Sequence, residues 1–216
     1  MKSGYFITID GGDGAGKSLQ AAKLRDSLET EGYSVFLCRD PGTTRLGEAV
    51  REILLNREEI PIAPQSEMLL FMAARAEMIS ENILPALEEG KVVIADRFLL
   101  STLVYQGIAG GLALEEIMRV GEVAVQGRFP DLTILLDISA ETARSRLARP
   151  LDRIEKKGLD FHKKVESGYR EALRYFAAAG RGETARVNAD GSPSEVASLI
   201  WREVQSRLPD LKCRKR

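Results

Sequence analysis

Tyr5-Phe6-Ile7-Thr8-Ile9-Asp10 runs directly into Gly11-Gly12-Asp13-Gly14-Ala15-Gly16-Lys17-Ser18, and a stretch with helical periodicity follows from Lys17. The first run is short and β-rich, as a buried strand requires. The second matches G-x-x-x-x-G-K-[ST] in full, and strand, glycine loop and helix in that order give the pattern a physical meaning. Glycines let backbone N–H groups turn inward around phosphate oxygens, and the helix N-terminus adds positive potential. Lys17 can then reach the β and γ phosphates of a nucleotide such as ATP, and Ser18 can ligate Mg²⁺. A dinucleotide-binding reading fails because G-x-G-x-x-G is not matched and Lys17-Ser18 would have no role.

Working outward, β-rich runs recur at Ser34–Arg39, Val92–Asp96, Leu132–Asp137 and Thr184–Asn188. Helix-period stretches lie between and after them at Lys17–Glu31, Leu46–Asn56, Ser66–Glu88, Leu114–Val125, Ala140–Arg149, Asp160–Ala178 and Ser194–Arg207. Alternation of this kind predicts an α/β domain. Val92-Val93-Ile94-Ala95 and Leu132-Thr133-Ile134-Leu135-Leu136 show no polar alternation, as strands covered on both faces of a parallel sheet do not. Functional groups are therefore expected at the strands' carboxyl ends. Gly32 and Gly90 fit positions just past a helix, Pro130 and Pro150 mark turns, and Ser192-Pro193-Ser194 can open the last helix. Pro85 is expected to kink its helix by freeing the carbonyl of Glu81.

The chain has 216 residues, of which 44% are hydrophobic and 29% charged, with a formal net charge of −1. That size and composition fit one domain over 1–210 with a basic tail at 211–216. The near-neutral balance removes the long-range positive field of a general nucleic-acid binder, so phosphate binding has to be local. Cys38 and Cys213 match no metal or redox spacing and suit reduced thiols. No run is long and apolar enough for a membrane span, and the N-terminus has no signal-like core, so a soluble cytoplasmic protein is expected. The single histidine, His162, between Phe161 and Lys163, is read as a surface residue.

Two further features suggest phosphate chemistry. Asp96 and Arg97 follow a buried strand and should emerge beside the glycine loop, where an acid can hold Mg²⁺ through water and an arginine can bind a second phosphate; taken alone, Asp96 reads equally as a helix N-cap. Arg144, Arg146, Arg149 and Arg153 crowd guanidinium groups into one segment, which anions would neutralise; a solvated helix paired with Asp152 and Glu155 is the competing reading.

In order along the chain, Gly11–Ser18, Arg39-Asp40-Pro41-Gly42-Thr43-Thr44, Phe71-Met72-Ala73-Ala74-Arg75, Asp96-Arg97-Phe98 with Ser101-Thr102 and Tyr105-Gln106-Gly107, and Leu151-Asp152-Arg153-Ile154-Glu155 resemble the thymidylate kinase family over essentially the whole length. The resemblance implies a P-loop NTPase-type three-layer sandwich, with a five-stranded parallel sheet, helices on both faces and an arginine-rich lid at about 144–158. It further implies transfer of the γ-phosphoryl group of Mg·ATP to dTMP, and a homodimer packed through helices.

By the same resemblance Phe71 stacks on thymine and Arg75 hydrogen-bonds the base. Their spacing of four residues permits this from one helix face. Arg97 holds the acceptor monophosphate; Ser101, Thr102 and Gln106 line the base site; Tyr105 lies under the sugar and disfavours a 2′-hydroxyl. Asp10 faces the acceptor sugar and the metal, Asp40 belongs to the acceptor loop, and Arg149 and Arg153 belong to a mobile lid. The eukaryotic branch has an arginine at the position of Gly14, so this chain looks like the bacterial branch.

Three departures stand out. Asp40 and Thr43 replace a glutamate and a glycine of the usual loop; Thr43 is β-branched and resists φ > 0. Phe98 replaces a familiar tyrosine and removes a hydroxyl. The segment from Arg149 to Arg153, stiffened by Pro150, is shorter than in some relatives. The rival readings are a kinase for another nucleotide or a deoxynucleoside, and a nucleotide-binding regulator; no Asn-Lys-x-Asp motif supports a GTPase switch.

Overall fold

The computed structural model describes residues 4–146, 152–154, 156–208 and 211 of the chain. Strands β1 (Tyr5–Gly11), β2 (Val35–Arg39), β3 (Val92–Asp96), β4 (Leu132–Asp137) and β5 (Glu183–Asn188) form one parallel sheet in the order β2-β3-β1-β4-β5. The glycine-loop strand is therefore central, flanked by β3 and β4. The expected parallel α/β sandwich is the observed one.

Side-chain alternation along the strands divides the core into two layers. On one face Ile7, Ile9, Val92, Ile94, Leu132, Ile134 and Leu136 pack under α1 (Lys17–Thr30), which contributes Leu24 and Leu28, and under α9 (Pro193–Arg207), which contributes Val196, Ile200 and Val204. On the other face Phe6, Val93, Ala95 and Leu135 meet five more helices. These are α3 (Pro64–Met78), α4 (Leu84–Glu88), α5 (Leu99–Thr102), α6 (Leu114–Ala124) and α8 (Leu159–Ala178). The helix α2 (Arg45–Asn56) packs on α3, and α7 (Ala140–Arg146) follows β4. Polar Thr8 and Thr133 are buried on adjacent strands and join hydroxyls at 3.2 Å, so neither is left unsatisfied.

Helix punctuation follows the sequence closely. Gly32 and Gly90 adopt φ of 85° and 77°, and each sits in a pair of closing bonds: Gly32 N–H to Glu29 O with Tyr33 N–H to Leu28 O, and Gly90 N–H to Leu87 O with Lys91 N–H to Ala86 O. A residue with a Cβ would be strained in that left-handed turn. Ser192 and Glu195 form a reciprocal cap at the start of α9.

The stretch read as one helix from Ser66 to Glu88 differs in its middle. A π-helical turn, Ile79–Ile83, separates α3 from α4, and the Leu84 N–H reaches back to Ile79 O. This register places Pro85 in the first turn of α4, where a missing N–H costs little. A second π-helical segment, Leu103–Ile108, continues α5. Pro150, Arg149 and Cys213 lie outside the described residues.

Candidate active site

The strand ends around β1 open on a cleft of about 1130 Å³. Asp13, Gly14, Gly16, Lys17 and Ser18 line one part of it, and Phe71, Arg75, Ser101, Thr102, Tyr105 and Gln106 another, with Asp96 and Arg97 among the lining residues. That volume exceeds the usual range for one drug-sized ligand, about 300–1,000 Å³.

The glycine loop needs its glycines for conformation. Gly14 and Gly16 have φ of 79° and 82°, and a Cβ on Gly14 would lie 2.7 Å from the Ala143 carbonyl oxygen of α7. A side chain at position 14 therefore requires α7 to move, which explains locally why the chain carries glycine there. Lys17 is buried and donates to Gly12 O at 2.7 Å, with the Asp13 carboxylate at 3.9 Å. Burial pushes its ammonium pKa down to about 8, with the Arg97 charge acting in the same direction. Ser18 donates to Oδ2 of Asp96. A hydroxyl and a carboxylate side by side next to Lys17 form a hard-oxygen donor set that suits Mg²⁺ completed by water and substrate phosphates. Among the described residues no group of three or more His, Cys, Asp or Glu side chains forms a separate metal cage.

Arg97 ties the two parts of the cleft together. Its φ is 69°, unusual for a non-glycine residue, and its N–H bonds Ile9 O at 3.0 Å. One terminal nitrogen donates to Gly11 O (3.2 Å), Ser101 Oγ (3.3 Å) and Tyr169 OH (3.1 Å); the other donates to Asp13. Tyr105 donates to the second oxygen of Asp13 at 2.9 Å, and its ring lies 5.3 Å from the Arg97 guanidinium. Asp10 is fully buried, accepts from Ser101 Oγ at 2.6 Å, and lies beneath the cleft rather than in its wall. Burial pushes its carboxyl pKa up, while the Ser101 bond and the Arg97 charge oppose that.

In the other part, Phe71 and Arg75 occupy one face of α3 as their spacing requires. Phe71 is half-buried, packing on the core while one side lines the cleft. Arg75 is buried; it donates to Asp40 Oδ2 at 2.5 Å and Thr102 Oγ1 at 2.9 Å. Phe98, which lacks the expected hydroxyl, packs edge-on against Phe6 at 5.0 Å with the Arg75 guanidinium 5.2 Å from its ring. Its ring is 1% exposed and occupied by these two contacts, so the phenylalanine is packed without a hydroxyl. Gln106 donates to Glu67 at 3.0 Å.

The loop departure has a physical resolution. Thr43 does adopt φ 72°, in the region a β-branched residue resists. Its hydroxyl compensates by accepting from Arg39 N–H at 2.9 Å and donating to Arg39 O at 3.2 Å, while its own N–H reaches Glu48 at 2.9 Å. Thr43→Val, which keeps the strain and loses both hydroxyl bonds, is expected to be about 1 kcal/mol less stable in urea unfolding. Thr43→Gly, which loses the bonds but relieves the strain, should stay within about 0.5 kcal/mol of the parent. A valine variant as stable as the parent would remove this account.

Among the described residues, Arg144, Arg146 and Arg153 do not form one cluster. Arg144 is exposed; Arg146 donates to the carbonyls of Ala189, Asp190 and Gly191 at 2.9, 3.1 and 3.0 Å. Arg153 bonds Leu54 O at 2.6 Å and Glu67 at 2.7 Å and does not line the cleft. Arg149 is not among the described residues.

Three site residues escaped the sequence reading. Arg51 lines the cleft and donates to Pro41 O at 3.0 Å, but in sequence it resembles any charged helix position. Tyr169 bonds Arg97 and Ser101; its signal was the helical glycine beside it, because a Cβ on Gly168 would meet Ile108 at 3.0 Å. Glu67 is a buried acid within an apolar stretch.

A family model described as Thymidylate kinase matches residues 9–200. A protein named thymidylate kinase from a Synechococcus species is 45% identical over 204 residues, covering 94% of this chain and 96% of its own. Namesakes from Caldanaerobacter subterraneus and Desulforudis audaxviator are 48% and 41% identical, over 80% and 96% of this chain and 83% and 93% of theirs.

Proposed function

The chain belongs to the thymidylate kinase family and transfers the γ-phosphoryl group of ATP to dTMP, giving ADP and dTDP for dTTP synthesis, and we propose how its residues divide that work. A single observation carries the division: one cleft joins the phosphate cradle to a second polar pocket, with Arg97 bonded to both.

ATP lies with its phosphates in Gly11–Ser18, where Lys17 faces the β and γ oxygens. Ser18 and Asp96 would hold Mg²⁺, which would supply positive charge against the transferring phosphate. The dTMP base lies on Phe71 and is fixed by Arg75, Thr102 and Gln106; the sugar sits over Tyr105. Arg97, with Arg51 in the same cleft wall, holds the acceptor phosphate. Asp10 acts from beneath by fixing Ser101 and, through its charge, Arg97. An acceptor phosphate oxygen attacks the γ-phosphorus in line as the bond to the β–γ bridging oxygen breaks and ADP leaves. The acceptor oxygen is already ionised, so no general base is needed; positioning and charge neutralisation carry the rate. Arg149 and Arg153, within a lid at about 144–158, would add positive charge on closure and exclude water.

The described helices include none long and apolar enough to cross a membrane, and a cytoplasmic enzyme fits the substrates. Leu69 on α3 and Val123 on α6, large hydrophobic side chains left exposed on two helices that pack together, support a homodimer.

The test is ADP release with Mg·ATP and each of dTMP, dUMP, dGMP, CMP, UMP and thymidine. Turnover is expected with dTMP above all. Preference for another acceptor would overturn the base-site assignments, and absence of any turnover would favour a nucleotide-binding regulator.

A further inference from the structure

Glu67 is a buried acid behind the cleft wall, bonded to Gln106, which lines the cleft. Its side chain is 4% exposed, at the first turn of α3, where the helix N-terminus favours negative charge. One oxygen accepts from Gln106 Nε2 at 3.0 Å and Lys157 Nζ at 2.9 Å; the other accepts from Arg153 at 2.7 Å and Lys157 at 3.3 Å. Burial raises the cost of its charge, but the Gln106 bond and the two cations hold its carboxyl below the usual range.

The donors come from two different places. Gln106 belongs to the π-helical segment and lines the cleft. Arg153 and Lys157 belong to the segment between α7 and α8. Arg153 is also fastened to the end of α2: its N–H donates to Leu55 O at 3.0 Å and its Nε to Leu54 O at 2.6 Å. Ile154, between these anchors, is buried and lines the cleft, as does Asp152.

We propose that Glu67 is a positioning residue that couples the acceptor pocket to the Arg153–Lys157 segment: through its shared carboxylate, a dTMP-bound Gln106 sets the placement of Arg153 and Ile154. The link rests on the assignment of Gln106 to the acceptor pocket. A carboxylate is required because it accepts at both oxygens; an amide in its place would turn one position into a donor facing Arg153 or Lys157. Arg153 and Lys157 would then lose the carboxylate they share with Gln106.

The test is amide hydrogen exchange at Arg153, Ile154, Lys156 and Lys157, with and without dTMP, alongside calorimetric dTMP binding. In the parent, saturating dTMP is expected to slow exchange at these amides by about tenfold, because ordering the pocket tightens the same carboxylate. In Glu67→Gln, dTMP should still bind, but the slowing should fall to less than about twofold. Glu67→Asp, with the charge kept on a shorter stem, should recover part of it. Arg153→Met repeats the test from the other partner should the glutamine variant fail to fold. Undiminished slowing in Glu67→Gln, or in Arg153→Met, would overturn the coupling. So would parent amides that ignore bound dTMP. If dTMP does not bind the parent at all, the acceptor assignment fails first and the coupling with it.

Discussion

Lys17→Met should lower kcat by on the order of 10²–10³-fold, the loss typical of removing one group aimed at charge that develops in the transition state. The variant should still fold, because the methionine stem replaces a buried lysine stem of similar length and, among the described residues, the ammonium makes one short bond, to Gly12 O at 2.7 Å. In the free protein Lys17 is poorly solvated: burial pushes its pKa from the ordinary 10.5 to about 8, assisted by Arg97 and opposed by Asp13, Asp96 and Asp10. ATP phosphates reverse that balance, since an adjacent anion favours the charged form. Binding ATP at pH 8 should therefore take up about half a proton, read by calorimetry in buffers of different ionisation heat, and the uptake should vanish in the variant. The pH rule has a definite sign. Between about 8 and 10.5 the unfolded chain holds the proton that the folded chain has released, so stability of the free protein rises with pH across that window. The kcat/KM for ATP should fall above about pH 8, as the ammonium is lost from the free enzyme. Turnover of Lys17→Met within tenfold of the parent would remove Lys17 from the chemistry.

The same residue shows why so much was legible in the sequence. The cradle is local: eight consecutive residues, a strand before and a helix after, so spacing carries the geometry. Strand bounds were equally local, because buried parallel strands read as short apolar runs. What stayed hidden depends on groups far apart in the chain. Arg75 and Asp40 form a buried pair across 35 positions, and Glu67 collects partners from 39, 86 and 90 positions away. No period or motif encodes such convergence. The π-helical turns were hidden for a different reason: their apolar spacing differs from an α-helix by one residue, which a short window does not resolve. Only Gly168 gave a local hint, since a glycine inside a helix marks close approach, and Tyr169 beside it turned out to face Arg97.

Arg97→Lys should lower kcat/KM for dTMP by on the order of 10²–10³-fold while leaving ATP affinity nearly unchanged. The substitution keeps the charge and a long stem, so any loss reports geometry. Arg97 spreads five donors in a plane, and this structure uses them in a fork: one terminal nitrogen serves Gly11 O, Ser101 and Tyr169, the other Asp13. An ammonium is a compact point charge that cannot reach Asp13 and the Ser101–Tyr169 pair together. Backbone strain cannot account for the difference, because both side chains bear the same cost at φ 69°. Asp13 keeps a cationic neighbour in the variant, so the folded state should survive. What changes is the alignment of two phosphates, for Arg97 is the group bonded at once to the cradle through Gly11 and Asp13 and to the acceptor pocket through Ser101. A 1 Å error in that bridge misplaces the attacking oxygen relative to the γ-phosphorus, and errors of that size cost about 10²-fold. The split decides the role. A fall confined to ATP binding would make Arg97 part of the cradle alone, and an unchanged kcat/KM would leave the acceptor phosphate to Arg51.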